Sequence, residues 1–162
     1  MSNRRAAAPA GPVSHPLAPV WNADSRVLIL GTLPSPASRQ AGFYYMHPQN
    51  RFWPVLAALF REPVPQGPEA RRAFALAHRI ALWDTLARCT IAGASDASIQ
   101  AGAPIRAVFA TGAAAHRFYQ KFQFPRTGLA ALRLPSPSAA NCAVPFGQLV
   151  EAYAAILPFL QP

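Results

Sequence analysis

The chain is short of acidic residues, lysine and cysteine, and each shortage excludes a class of protein. Its 162 residues include six Asp and Glu, and Lys121 is the single lysine. The two cysteines, Cys89 and Cys142, are too few for a disulfide framework or a four-thiolate iron–sulfur cluster. No carboxylate pair, metal-ligand spacing or phosphate-cradling glycine loop is present in the sequence. We therefore expect neither a metal ion nor a cofactor.

Long apolar runs are also lacking, since no stretch approaches the roughly 18 residues that a membrane span needs. Residues 1–13 contain two arginines but no secretory apolar core, and we expect them to form a disordered arm. Residues 14–162 are long enough to bury one core, so we expect a single domain. Because neither a membrane span nor a secretory core is present in the sequence, we expect a cytoplasmic protein of bacterial type. We also expect a monomer.

Positive charge is abundant, because 15 Lys and Arg outweigh six Asp and Glu to give a formal net charge of +9. Such a balance suits a polyanionic partner, since phosphate neutralisation supplies most non-specific affinity for DNA. The competing interpretation is an arginine-rich composition that accompanies the many Ala and Pro residues.

Four short apolar runs alternate with helical patterns and predict the fold class. The expected strands are residues 26–30, 80–83, 106–110 and 129–134. The expected helices begin at Asn50 and cover residues 69–79, 112–121 and 146–160, with a polar, Ala-rich segment at residues 89–104. This alternation predicts an α/β fold, a three-layer α/β/α sandwich around a central four-stranded, mainly parallel sheet.

The most informative stretch is residues 27–53, which follows the first expected strand into a stiff Pro- and Ser-rich loop. Three consecutive aromatics, residues 43–45, precede His47 and Asn50. Ligands of open parallel sheets bind outside the carboxyl ends of the strands. Since three aromatics in a row cannot all face inward, we expect at least one to line a pocket for a flat, polar ligand such as a nucleobase.

Two blocks in this sequence resemble a known family. GTLPSPASR at residues 31–39, followed by FYYMHPQNRFW at residues 43–53, resembles the hypoxanthine (deoxyinosine) branch of the uracil-DNA glycosylase superfamily. The HPxNRFW part is similar to the mismatch-specific uracil and thymine glycosylases. LPSPSAAN at residues 134–141 is similar to the LPSTSPAN-type block of the deoxyinosine enzymes. The resemblance runs from about residue 15 to about residue 159.

The resemblance implies a DNA-repair hydrolase that flips a deaminated base out of DNA and hydrolyses its N-glycosidic bond with water. Hypoxanthine is the first expected base and uracil the second. The expected partner is double-stranded DNA, with single-stranded DNA as a second candidate. A bifunctional lyase would need an amine nucleophile, and Lys121 lies away from both motif loops, so a monofunctional mechanism is favoured.

The resemblance also implies residue roles. Asn50 is the catalytic candidate, and its competing role is the N-cap of the first helix. Tyr45 is the stacking platform for the base. The other expected base contacts are Thr32, Leu33, Pro34, Ser35 and His47. The expected DNA contacts are Ser136, Pro137, Ser138, Asn141, Arg39 and Arg51.

Leu33 is the clearest departure from the family pattern. The mismatch-specific uracil enzymes have a water-activating Asn at this position, and other branches have an acid. Leucine can perform neither role. This departure favours Asn50 as the catalytic residue and the deoxyinosine branch as the relative. It also leaves open a non-catalytic nucleic-acid-binding module of the same fold. A nucleoside hydrolase is a further alternative, which the +9 charge disfavours. Asp84, at the end of the second expected strand, is interpreted as structural, since residues there often cap the next helix.

Overall fold

The computed structural model of the chain describes residues 17–86 and 102–162. The arm expected at residues 1–13 and most of the polar segment expected at residues 89–104 lie outside the described residues.

A four-stranded sheet forms the middle layer of the structure. Its strands are β1 (Val27–Gly31), β2 (Ile80–Asp84), β3 (Ala107–Thr111) and β4 (Ala131–Leu134), in the order β2-β1-β3-β4 with every pair parallel. All residues of β1, β2 and β3 are buried, as expected for apolar strands covered on both faces. The predicted α/β/α sandwich with a parallel sheet is confirmed.

Helices cover the sheet and connect its strands. The α-helices are α1 (Pro36–Ala41), α2 (Phe52–Phe60), α3 (Gly67–Ala77), α4 (Ala113–Phe118), α5 (Phe124–Thr127) and α6 (Phe146–Tyr153). A π-helical segment, Tyr119–Gln123, joins α4 to α5, and 3₁₀ segments cover Ala139–Asn141 and Ala154–Phe159. Aromatic rings hold α2 against α6, where Phe52 meets Tyr153 at 6.4 Å between ring centroids.

Several predicted boundaries were wrong for local reasons. The Pro- and Ser-rich loop contains helix α1, because Ser35 caps its first turn by accepting from the backbone N–H of Ser38, and Gly42 ends it with φ 72°. Helix α2 starts at Phe52, two residues later than expected. The closing helix changes to a 3₁₀ segment after Tyr153, and Pro158 lies inside that segment.

The parallel arrangement brings the carboxyl ends of all four strands to one edge of the sheet. Gly31 pairs with Asp84 in the β1–β2 register, and Thr111 pairs with Leu134 in the β3–β4 register. The loops that leave β1 and β4 therefore start from neighbouring points, and their side chains can share one cavity.

Candidate active site

A cavity of about 210 Å³ lies at this edge of the sheet. It is smaller than the roughly 300–1,000 Å³ pockets that hold drug-sized ligands, and its size suits a single base. Four parts of the chain form its wall: the strand ends, the first loop (residues 32–38, after β1), the aromatic segment (residues 43–50) and the second loop (residues 135–145, after β4). The lining residues are Gly31, Thr32, Leu33, Pro34, Ser35, Ser38, Tyr44, Tyr45, Asn50, Asp84, Thr111, Ser136, Pro137 and Ser138.

Tyr45 presents an aromatic face to this cavity. Tyr44 and Tyr45 both line the cavity, as expected for at least one of the three aromatics, and Phe43 and Tyr44 are buried whereas Tyr45 is half-buried. Its ring stacks on Phe52 at 3.8 Å between centroids with an interplanar angle of 15°. Because Phe52 covers one face of the ring, a flat ligand in the cavity would stack on the other face.

The backbone at Tyr45 adopts φ 54°, a left-handed conformation that costs a non-glycine residue roughly 1–2 kcal/mol. Arg71 helps to hold it there, since Nη1 donates to the carbonyl of Tyr45 at 3.4 Å and the guanidinium lies 5.6 Å from the centroid of the Trp53 ring. Partial burial lowers the pKa of Arg71 from its usual value. The strained backbone thus places the Tyr45 ring in the cavity wall.

Asn50 contacts the start of α2 and also lies in the cavity wall. The N-cap position of α2 is Arg51 rather than Asn50, and the catalytic role of Asn50 stays a prediction. Its Oδ1 accepts a hydrogen bond from the backbone N–H of Phe52 at 2.9 Å and so satisfies the first turn of α2. The same residue lines the cavity together with Tyr45. Within residues 17–86 and 102–162, no recorded hydrogen bond uses its Nδ2. The helix contact orients the amide, and its N–H groups can donate to a ligand.

The first loop is held closed by its own hydroxyl groups. Ser38 Oγ accepts from the hydroxyl of Ser35 at 3.1 Å and from the backbone N–H of Met46 at 3.0 Å. These bonds fix the loop against the aromatic segment. Leu33 lies at the rim of the cavity and is 42% exposed, so the polar group that other branches have at this position is absent from the wall.

Arg51 ties the two motif loops together. Its backbone N–H donates to the carbonyl of Pro137 at 3.0 Å, and its Nη1 and Nη2 donate to the carbonyls of Val144 and Asn141 at 2.6 and 2.8 Å. In the structure the guanidinium has backbone partners in the second loop, and the expected contact of this side chain with DNA stays a prediction. Asn141 also closes the turn, since its Nδ2 donates to the carbonyl of Ser136 at 3.0 Å.

A wider groove of about 630 Å³ adjoins the cavity on the side of the second loop. Ser136 and Ser138 line both, and Arg133 and Asn141 line the groove. Pro137 is buried in the wall of the smaller cavity. The arrangement places two small hydroxyls between a base-sized cavity and an open groove that contains an arginine.

Two predicted site residues stand apart from this cluster. His47 is exposed, its Nδ1 accepts from the backbone N–H of Gln49 at 3.2 Å, and it does not belong to the cavity wall. Arg39 is exposed on α1, with Nη1 3.5 Å from the carbonyl of Pro34. The structure thus brings neither His47 nor Arg39 into the cavity wall, and the DNA contact expected for Arg39 stays a prediction.

Three phenols near the cavity stay protonated. Burial raises the pKa values of Tyr44, Tyr45 and Tyr153, and the charge of Asp84 raises those of Tyr44 and Tyr45 further. Tyr44 and Tyr153 donate to the carbonyls of Ala18 and Pro135 at 2.9 and 3.0 Å. The phenol of Tyr45 lies 3.4 Å from Thr111 Oγ1. The cavity wall therefore contains neutral phenols beside a carboxyl group.

Sequence reasoning missed five residues of the wall. Gly31, Ser38, Tyr44 and Thr111 were given no site role, and Asp84 was interpreted as structural, yet all five line the cavity. Their shared feature is position, since Gly31, Asp84 and Thr111 are each the last residue of a strand. The rule that ligands bind at the carboxyl ends of parallel strands could have identified these three.

Among the described residues, no group of three or more His, Cys, Asp or Glu side chains could hold a metal ion. None of the helices in that part of the chain is long and apolar enough to cross a membrane.

Comparison with known families identifies similar proteins. The model of the uracil DNA glycosylase superfamily matches residues 18–157. A hypoxanthine DNA glycosylase from Methanosarcina barkeri is 34% identical over 83 residues, which cover 51% of this chain and 52% of that protein. A protein of the same name from Methanosarcina acetivorans is 32% identical over 81 residues, which cover 49% of this chain and 51% of that protein. The chain thus spans about half the length of the curated relatives it matches.

A solved structure has the same fold. The solution NMR structure of a uracil DNA glycosylase candidate from Methanosarcina acetivorans superimposes with a TM-score of 0.69 at 23% identity. The match covers 89% of this chain and 98% of that one. At this identity the similarity shows the fold alone.

Proposed function

The chain belongs to the uracil DNA glycosylase superfamily, and on that premise we propose that it is a monofunctional DNA glycosylase. It binds a deaminated base that has been flipped out of DNA and hydrolyses the N-glycosidic bond with water, without a covalent intermediate. Hypoxanthine is the first substrate, the base in the names of the two Methanosarcina relatives, and uracil is the second, the base in the name of the superfamily.

The observation that carries the proposal is the meeting of an aromatic face, an oriented amide and two serine hydroxyls around one base-sized cavity. Tyr45, backed by Phe52, supplies the stacking surface. Asn50 lies in the same wall with its amide oriented by α2. Ser136 and Ser138 separate the cavity from the groove, where a DNA strand would run and where small hydroxyls contact phosphates.

In the proposed reaction the leaving base gains negative charge as the sugar becomes oxocarbenium-like. Donors already oriented toward the base stabilise that charge best, because they need no reorganisation during the reaction. The N–H groups of Asn50 and the backbone N–H groups of Thr32, Leu33 and Ser35 are among the donors in the wall, whereas Pro34 has no N–H. The second lone pair of Asn50 Oδ1 is available to orient the attacking water, since the bond from Phe52 uses one of two.

The test uses labelled duplexes that contain a single hypoxanthine, uracil or xanthine, incubated without metal and then treated with alkali to reveal abasic sites. We expect cleavage at hypoxanthine, and a loss of at least about 100-fold in the Asn50→Ala variant. Asn22→Ala is the matched control. Asn22 Oδ1 also accepts from the backbone N–H two residues ahead, at 3.0 Å, but Asn22 precedes β1 and is outside the cavity wall.

The outcomes separate the alternatives. Equal losses in the two variants would mean that Asn50 serves the fold rather than the reaction. Release of uracil alone would support glycosylase activity and exclude the preference for hypoxanthine. Binding of every duplex and single strand without any cleavage would favour the non-catalytic module. The structure weighs against that module, because Asn50 shares the cavity wall with Tyr45 instead of pointing away from it.

A further inference from the structure

Gln123 is a buried polar residue that the proposed reaction does not use. It ends the π-helical segment Tyr119–Gln123 and is only 5% exposed. Its Nε2 donates to the carbonyl of Thr85 at 2.6 Å, whereas its Oε1 is buried and has no hydrogen-bond partner within residues 17–86 and 102–162. An unpaired buried acceptor costs at least as much stability as one such hydrogen bond contributes. Stability alone therefore does not account for a glutamine here, and π-helical turns occur often at functional sites.

The hydrogen bond from Gln123 continues to the first loop through a peptide group. Thr85 follows the last residue of β2, and the next N–H, that of Leu86, donates to the carbonyl of Thr32 at 3.1 Å. Because these peptide groups are planar and trans, the carbonyl and the N–H of each point in opposite directions. The peptide group between Thr85 and Leu86 thus accepts from Gln123 on one side and donates to Thr32 on the other.

The same geometry sets the direction of the Leu33 N–H. The carbonyl of Thr32 is directed toward Leu86, so the N–H of the same peptide group, which belongs to Leu33, is directed away from it. No recorded hydrogen bond in the described part of the chain uses this N–H. Thr32 and Leu33 both line the cavity. The side-chain amide of Gln123 and two peptide groups therefore form a head-to-tail row of three amides that ends in the cavity wall.

We propose that Gln123 is a positioning residue, which aligns and polarises the Leu33 N–H as a donor to the departing base. Hydrogen bonds in a chain strengthen one another in a protein interior. A donor that is already oriented stabilises developing negative charge without reorganisation. The proposal rests on the function proposed above. It gives residue 33 a contribution through its backbone, although its leucine side chain lacks the polar group that other branches have.

Gln123→Met tests the proposal, because methionine has a similar length and shape but no N–H to donate. We expect the single-turnover rate of hypoxanthine excision at saturating enzyme to fall roughly 10- to 100-fold. The dissociation constant of a hypoxanthine duplex, made resistant to cleavage by a 2′-fluoro-arabino sugar, should stay within about threefold of the wild-type value, since the lost effect belongs to the transition state. The urea midpoint should shift by less than roughly 0.5 M, because loss of the hydrogen bond and removal of the unpaired Oε1 offset one another.

Gln120→Met is the matched control. Gln120 lies in the same π-helical segment, and its Oε1 is likewise buried without a partner among the described residues. The recorded bond to Thr85 comes from Gln123 and not from Gln120. Gln120→Met should therefore leave the rate of excision unchanged.

A second measurement does not depend on catalysis. In amide NMR spectra of the free protein, loss of polarisation by Gln123 should move the Leu86 N–H resonance upfield in Gln123→Met and leave it in place in Gln120→Met. An unmoved Leu86 resonance in Gln123→Met would overturn the row of amides.

Two further results would overturn the role in the reaction. One is a Gln123→Met protein that shows the Leu86 shift but excises hypoxanthine at the wild-type rate. The other is a loss of duplex affinity or of stability as large as the loss of rate, which would assign Gln123 to the fold. The Leu86 shift in a protein that cleaves no duplex would reject the proposed reaction and leave the alignment of the first loop by Gln123 standing.

Discussion

Gly31 is the position where a single added methyl group should lower both the stability of the protein and the rate of base excision. No positive φ is recorded at this residue, so alanine fits its backbone and the effect of Gly31→Ala is steric. The new Cβ would lie 2.5 Å from Asp84 Oδ1. Ordinary contact begins near 3.5 Å, so the carboxylate has to move by about 1 Å.

We expect that displacement to change both the free energy of unfolding and the rate of base excision. Crowding in a packed interior should lower the free energy of unfolding by about 1–3 kcal/mol. Misplacing a group at the site by about 1 Å should lower the single-turnover rate of base excision about 100-fold. Urea denaturation measures the first quantity, and cleavage of a hypoxanthine duplex at saturating enzyme measures the second.

Two further variants test the cause of these effects. In an Asp84→Ala background, Gly31→Ala should cost less stability, because the atom it meets is gone and the two changes couple. Gly147→Ala in α6 has no atom within 4 Å of its new Cβ and should stabilise the protein by about 0.5–1 kcal/mol. A Gly31→Ala protein with wild-type stability and wild-type excision would refute the assignment of this space to the base.

Three other changes have expected outcomes. Arg51→Ala removes two hydrogen bonds between a guanidinium and loop carbonyls and should lower the free energy of unfolding by about 2–3 kcal/mol. Arg117 is exposed and serves as the control, so Arg117→Ala should change the free energy of unfolding by less than about 0.5 kcal/mol. Equal effects of the two substitutions would contradict the link between the loops. Tyr45→Ala should weaken binding of a hypoxanthine duplex, whose 2′-fluoro-arabino sugar prevents cleavage, by roughly 10- to 100-fold, the range for one stacked base. Tyr45→Phe should retain most of the affinity, and similar losses in the two variants would reject stacking. Burial raises the pKa values of Tyr44, Tyr45 and Tyr153, so their contribution to stability is complete below about pH 10, the unfolded value, and falls above it by up to ~1.4 kcal/mol per pH unit for each phenol. Urea denaturation midpoints at several pH values measure this loss of stability, and tyrosinate absorbance measures ionisation of the phenols. Ionisation of all three phenols near pH 10 in the folded protein would contradict the prediction.

The sheet was predictable because buried strands are recognisable from the apolar residues of each short segment. The runs that became β1, β2 and β3 are continuous apolar stretches, which is the pattern of strands covered on both faces. Strand ends were less predictable. Gly31, Asp84 and Thr111 continue their strands by one residue, and polar or small residues there look like turn signals until the neighbouring strand supplies their hydrogen bonds.

The candidate site was predictable only where one segment holds several of its residues. Tyr45 and Asn50 belong to one contiguous motif, and both line the cavity. The linking role of Arg51 depends on carbonyls about 90 positions later in the chain, and no local pattern indicates such a contact. The same holds for Asp84, which joins the wall only because β2 lies beside β1.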